Sequence, residues 1–273
     1  MELILLYFVI FLIMILIGIP ISFSMGLFSI ITFASFGGNL QIIPQKMFAG
    51  IDNYTFLAIP FFILAGQIMT LGGINKIIVN FSNDLVGHIT GGLAHVNVLS
   101  SMFFAGLSGS ATADAAGLGY VEMELMTKGG YDRNFSAAIT AASAVIGPII
   151  PPSMAMIIFA VVAGHISVIR LFLGGIFPGI LIGIGLMLVS YIIAKKNRFP
   201  VKEQCASIKM IIFSFLKALP ALFMPLIILG GILLGIFTIT ESAAVAVLYA
   251  IIISRYVYKS IKFVDLLPSF LVT

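Results

Sequence analysis

Apolar runs follow one another along almost the whole chain, at Leu3 to Ile17, Ile21 to Phe36, Tyr54 to Thr70, Gly91 to Gly106, Ala111 to Met126, Phe135 to Gly164, Leu171 to Ala194, Leu219 to Phe237 and Glu241 to Tyr256. A water-soluble core has no use for so much apolar sequence. With 61% hydrophobic and 9% charged residues among 273, the pattern predicts an all-α polytopic membrane protein, with the lipid bilayer as its first partner. Leu3 to Ile17 lacks a basic leader and a small-residue cleavage site, so it reads as the first span and not as a cleaved signal. The single cysteine, Cys205, excludes a disulfide framework and a cysteine-built metal site. The net charge of +4 resides in loops, as the positive-inside rule requires, so nucleic acid is not an expected partner.

Several runs fall short of the roughly 20 residues that a perpendicular helix needs to cross the hydrocarbon core. The clearest pair flanks Ser108 to Ser110, inside the stretch FFAGLSGSATADAAGLG from Phe103 to Gly119. Tiny and hydroxylated residues around one carboxylate predict the tip of a re-entrant hairpin whose two arms enter and leave on the same side. Irregular polar backbone survives at membrane depth only where protein or a water-filled cavity covers it, so such a tip marks a binding place. A second interruption lies within Phe135 to Gly164. There Gly147-Pro148-Ile149-Ile150-Pro151-Pro152 removes three backbone donors, and the helix is expected to unwind.

Charge placement sets the orientation. If the hairpin does not cross and every other run does, Lys76, Lys128, Arg133, Lys195, Lys196, Arg198, Lys202, Lys209, Lys217, Arg255, Lys259 and Lys262 share one face. Only Lys46 and Arg170 lie on the other. Twelve against two assigns the first face, with the hairpin mouth, to the cytoplasm and the amino terminus to the outside. This topology takes Gly18-Ile19-Pro20 as a turn between two helices. A faint internal repeat supports it: Leu16-Ile17-Gly18-Ile19-Pro20-Ile21-Ser22 is similar to Leu233-Leu234-Gly235-Ile236-Phe237-Thr238-Ile239. The first unit contains an odd number of crossings, so a second copy starting near Leu219 is inverted, the architecture of many secondary transporters.

Gly106-Leu107-Ser108-Gly109-Ser110-Ala111-Thr112-Ala113-Asp114-Ala115-Ala116, Ile146-Gly147-Pro148-Ile149-Ile150-Pro151-Pro152-Ser153 and Gly235-Ile236-Phe237-Thr238-Ile239-Thr240-Glu241-Ser242-Ala243-Ala244 stand in this order along the chain. Together they resemble the large membrane subunit, DctM-like, of tripartite ATP-independent periplasmic (TRAP) transporters. The resemblance implies an elevator-type, inverted-repeat sodium symporter in the bacterial inner membrane. It also implies two partners, a small membrane subunit and a periplasmic substrate-binding protein that delivers an organic acid anion such as a C4-dicarboxylate or a sialic acid. Residues 1–50 are then scaffold helices. Residues 51–170 form a transport region with the hairpin at about 91–126 and the broken helix at about 135–164. Residues 171–218 hold a last helix and a basic loop, and 219–273 begin the inverted second repeat. Members of the family are longer and carry a second hairpin and a second broken helix. The chain is therefore expected to be a truncated product or a fragment that does not transport alone.

The chemistry of this half-site is coherent. Sodium, the expected coupling ion, prefers oxygen ligands, which serine and threonine hydroxyls and carbonyls of unwound backbone supply. Ser108 and Ser110, facing Gly147, Pro148 and Ile149, are the expected sodium ligands. Gly109, Thr112, Asp114, Pro151 and Pro152 are the expected substrate contacts, with the N-terminus of the second half-helix turned toward a carboxylate. No further cofactor is expected. Asp114 has duller roles open to it, as a cap of that half-helix or as a tie to Asn97. His95 reads as a hydrogen-bonded packing residue, and Glu241 as part of a helix-start box. Glu122, Glu124, Lys128, Asp132 and Arg133 read as a solvated cytoplasmic exit. Proton coupling through Asp114 or His95, and a channel, are alternative mechanisms. An intramembrane serine protease is the enzyme alternative, because Gly106-Leu107-Ser108-Gly109 contains a Gly-x-Ser-Gly pattern. The histidine available as its base, His165, falls at the outer end of the broken span, opposite the hairpin mouth and out of hydrogen-bond reach.

Overall fold

A computed structural model describes residues 2–200 and 205–261, so Lys202 and Lys262 of the basic face lie outside the described residues. Within the described residues all regular structure is helical, and the chain divides into two compact units, Met1–Asn53 and Tyr54–Thr273.

The first unit contains α1 (Glu2–Leu16), α2 (Ile21–Ser35) and α3 (Ile42–Ile51). The break at Gly18-Ile19-Pro20 is a true turn. Gly18 adopts φ +95°, a conformation that glycine reaches without steric cost, and α2 folds back along α1. Tyr7 Oη donates to Ser35 Oγ at 2.7 Å, and the rings of Phe11 and Phe28 lie 5.6 Å apart. The helix α3, which carries Lys46, is absent from the apolar-run reading because its composition is mixed.

The second unit opens with a 3-10 turn, Tyr54–Leu57, that leads into α4 (Ala58–Leu71), followed by α5 (Ile74–Val86). Then come the hairpin arms α6 (Gly92–Ser108) and α7 (Ala111–Lys128), and the broken pair α8 (Arg133–Ala144) and α9 (Met154–Ala163). Two long helices follow, α10 (Val168–Asn197) and α11 (Ile208–Leu233), and then α12 (Ile239–Ile252), continued by a π-helical turn at Ile253–Val257. Among the described residues, four stretches are long and apolar enough to cross a membrane: Tyr54–Leu71, Val168–Asn197, Ile208–Leu233 and Ile239–Val257.

Sequence reading passed over α5, a short amphipathic helix. Its Ile74, Ile78 and Phe81 are buried, and Phe81 stacks on Phe103 of α6 while also meeting Phe215 of α11, both at 5.7 Å between ring centres. The relative direction of α4 and α12 is the one the charge-based alternation expects for that pair. Tyr54 carbonyl accepts from Thr240 Oγ1 at 3.1 Å and Ile68 carbonyl from Ser254 Oγ at 3.5 Å, so α4 and α12 run parallel. Thr238 and Glu241 form the expected helix-start box, in which Thr238 Oγ1 accepts from the Glu241 N–H at 3.3 Å and Glu241 Oε2 accepts from the Thr238 N–H at 2.7 Å.

The hairpin is antiparallel along its length. Its open ends meet where Gly129 lies against Leu93, and its arms are tied at mid-length by Ser100 Oγ donating to Glu122 Oε1 at 2.6 Å. The broken pair lies on the same body: Thr140 of α8 packs against Gly119 of α7, and Gly147 beyond α8 reaches Asp114 near the tip. Gly175, Gly179 and Gly183 then let α10 approach closely, against Ile149, Ile150 and Met102 respectively.

Candidate functional site

The hairpin turns in two residues. Gly109 takes φ +61°, a left-handed conformation that ends α6, and any Cβ there would strike the Pro152 carbonyl oxygen. Ser110 is extended, at φ −140° and ψ 121°, and caps α7 by accepting from the Ala113 N–H at 3.4 Å. Ser110 is thus the cap that Asp114 had been considered for. Its hydroxyl also lies 3.0 Å from Thr112 Oγ1.

Asp114, one turn into α7, is buried, and Ser108 Oγ donates to its Oδ1. Its Oδ2 is buried with no hydrogen-bond partner among the described residues, and it faces Gly147 so closely that a Cβ on Gly147 would lie 2.5 Å away. That glycine is where the broken helix comes apart. The N–H groups of Ile149 and Ile150 both bind the Ile146 carbonyl at 3.0 Å, and the chain passes through Pro151 and Pro152 before α9 restarts. Ser153 caps α9 by accepting from the Met156 N–H at 3.3 Å, and its hydroxyl donates to the Pro148 carbonyl at 2.6 Å.

Behind the tip, buried polar side chains bind the two broken elements to each other. Asn97 Nδ2 donates to Thr140 Oγ1 at 2.7 Å, Ser143 Oγ donates to Asn97 Oδ1 at 2.7 Å, and Ser101 Oγ donates to Ser143 Oγ at 3.0 Å. Asn97 therefore ties the hairpin to α8 and not to Asp114. His95 Nε2 lies 3.1 Å from the Thr90 carbonyl, as a packing histidine would. The solvated reading of Glu122 is corrected: it is 1% exposed. Asp114, Leu118, Glu122 and Met126 recur every fourth residue and share the face of α7 that is buried. Glu124 lies on another face, exposed, where Lys128 Nζ at 2.6 Å holds its carboxyl below the usual range.

A cavity of about 660 Å³ opens beside the tip. Ser108, Ser110 and Thr112 line one wall, α4 contributes Gln67 and Thr70 to another, and Phe104 and Met154 are among the apolar residues between them. Its size and its apolar lining with a few convergent polar groups are those of a small-molecule site. Of the expected substrate contacts, Thr112 lines this cavity. Asp114 sits beneath Ser108, Gly109 is packed on Pro152, and the Pro151 carbonyl lies near Gly106. Of the expected sodium ligands, Ser108, Ser110 and Gly147 gather around Asp114. The Pro148 carbonyl is engaged by Ser153, and the Ile149 carbonyl lies against Gly175 of α10. The hydroxyls and the unpartnered carboxylate oxygen form an oxygen-only donor set, which fits a hard cation. Gln67 and Thr70 were missed by sequence reading, although an amide and a hydroxyl three residues apart in an apolar run share one helix face.

Comparison with known proteins identifies a family. Residues 8–273 match the family model described as "Tripartite ATP-independent periplasmic transporter, DctM component". The chain is 42% identical over 261 residues to the sialic acid TRAP transporter permease protein SiaT of Haemophilus influenzae, covering 95% of this chain and 42% of that protein. It is 42% identical over 228 residues to the 2,3-diketo-L-gulonate TRAP transporter large permease protein YiaN of Escherichia coli, covering 84% and 53%. It is 40% identical over 240 residues to the C4-dicarboxylate TRAP transporter large permease protein DctM of Pseudomonas aeruginosa, covering 88% and 56%. The chain thus spans about half the length of the curated relatives it matches. These relatives are permeases, which sets aside the protease reading of Ser108; His165, moreover, is exposed beyond the end of α9 while Ser108 is buried. The chain belongs to the DctM family of TRAP transporter components.

Proposed function

We propose that this chain supplies part of the membrane permease of a sodium-coupled, binding-protein-dependent importer of an organic acid anion. Its setting is the bacterial inner membrane, and its partners are a small membrane subunit and a periplasmic substrate-binding protein. The observation that carries the reading is the meeting of the hairpin tip with the unwound turn of the broken helix, around the unpartnered Asp114 Oδ2 and beside the cavity. Interrupted helices meeting at a buried polar point are how secondary transporters build ion and substrate sites.

In this reading Ser108, Ser110, Asp114 and the backbone at Gly147 receive sodium. Thr112 and the N-terminal N–H groups of α7 receive the substrate carboxylate, because partial positive charge accumulates at a helix N-terminus. The hairpin and the α8–α9 pair move as one body, in the elevator manner. Sodium is favoured over a proton as coupling ion by the hydroxyl-rich donor set.

The test is uptake into proteoliposomes of the complete native transporter, with Ser110→Ala combined with Thr112→Val. Sodium dependence is expected to weaken strongly while the thermal unfolding midpoint in detergent changes little. Uptake that keeps its full sodium dependence overturns the assignment of the tip.

A further inference from the structure

A second part of the cavity wall, beside the hairpin, has no role so far. It belongs to α4, whose residues 63, 66, 67 and 70 all line the cavity and recur at the spacing of one helix face. This face is held against the hairpin at two points. A Cβ on Gly66 would lie 3.5 Å from Ser108 Cα, and a Cβ on Gly117 would lie 3.6 Å from Thr70 Cγ2. The backbone of α4 is therefore fixed relative to the tip on either side of Gln67, and the place of that amide in the cavity wall is set by packing.

Gln67 and Thr70 are neutral. An amide offers two donors and two acceptors, and a hydroxyl offers one donor and two acceptors, so the pair matches groups that both give and accept hydrogen bonds. A carboxylate is acceptor-only and is met better by charged donors or by a helix N-terminus. The α4 wall thus lacks the helix N-terminus that the tip offers to an anion. The tip suits an anionic head, and Gln67 and Thr70 suit neutral polar groups.

We infer that Gln67 and Thr70 are specificity-determining residues that hold the hydroxyl or carbonyl groups of a hydroxylated carboxylate whose anionic head lies at the hairpin tip. This rests on the transporter reading above. It assigns the side of the site that the ion and the carboxylate leave unused, and it makes α4 part of the substrate site.

The experiment uses the complete native transporter in proteoliposomes, offered radiolabelled sialic acid, 2,3-diketo-L-gulonate and succinate. Thr70→Val keeps the shape and loses the hydroxyl, Thr70→Ser keeps the hydroxyl, and Gln67→Glu keeps the shape and sets a negative charge against the anion. KM for the hydroxylated anion is expected to rise about fivefold to tenfold in Thr70→Val, the loss of one neutral hydrogen bond. It is expected to rise more than tenfold in Gln67→Glu and to stay near wild type in Thr70→Ser, with half-saturation by sodium unchanged in Thr70→Val. Wild-type KM in both Thr70→Val and Gln67→Glu overturns the inference, and so does a Thr70→Ser defect equal to that of Thr70→Val. Where the inference is overturned in this way but Ser110→Ala with Thr112→Val still shifts sodium half-saturation, the transporter reading stands and only the α4 assignment falls. A native transporter that takes up succinate alone overturns the inference, and one that takes up none of the three anions overturns both.

Discussion

Gly109 and Gly164 share a left-handed backbone, at φ +61° and +72°, yet their surroundings differ. Beyond Gly164 a Cβ would meet nothing within 4 Å, whereas at Gly109 it would strike the Pro152 carbonyl. Gly164→Ala is therefore expected to cost only the backbone term of roughly 1–2 kcal/mol and to retain uptake. Gly109→Ala must also push the tip away from the broken helix and is expected to abolish sodium-dependent uptake. Thermal unfolding in detergent beside uptake separates the two, and equal uptake in both variants contradicts the packing described. Gly147→Ala belongs with Gly109→Ala, since its methyl would lie 2.5 Å from Asp114 Oδ2. Much at this scale was legible in the sequence. Serines and glycines concentrated at a break announce a tip, because hydrocarbon tolerates such backbone nowhere else. Glu122 was not legible. A carboxylate six residues before an exposed lysine looks solvated, and only the helical phase shared with Asp114 turns it inward.

The hairpin and the first half of the broken helix are joined by polar side chains as well as by apolar packing. Asn97→Leu removes the bonds to Thr140 and Ser143, and polar contacts between membrane helices contribute on average about 0.6 kcal/mol and at most about 1.7. The expected loss is thus about 1–2 kcal/mol, read as a lower unfolding midpoint; an unchanged midpoint removes the network from the account of stability. Glu122→Gln preserves the acceptor for Ser100 and is expected to fall within about 0.5 kcal/mol of wild type. Glu122→Ala empties the site at a cost of about 1–3 kcal/mol. Apart from α11, the long apolar elements lie close to their predicted ranges because length and hydropathy alone define them. The helices α3 and α5 escaped notice because they are short and mixed in composition, and α11 begins at Ile208, well before the predicted Leu219, because its first turns include Lys209 and Lys217.

For the molecule as a whole, the charge distribution fixes a testable orientation. Cys205, exposed and beside the basic loop after α10, is expected to react with a membrane-impermeant maleimide only after right-side-out vesicles are permeabilised. Lys46→Cys, in a Cys205→Ser background, is expected to react without permeabilisation. The reverse pattern inverts the topology and moves the hairpin mouth to the outer face.

The polar ties of the half-site also have a consequence for the order in which the protein is made. Ser100 and Glu122 are 22 residues apart, and Asn97 and Thr140 are 43 apart, whereas the ties between α4 and α12 span 186 residues. Short loops close at less entropic cost than long ones. The hairpin and the first part of the broken helix can therefore assemble while the ribosome is still completing α10, and α4 must wait for α12 to emerge before it gains its parallel neighbour. A nascent chain released after about 160 residues would already hold the closed hairpin and its broken helix, and protease protection of such chains in the membrane would reveal that early body.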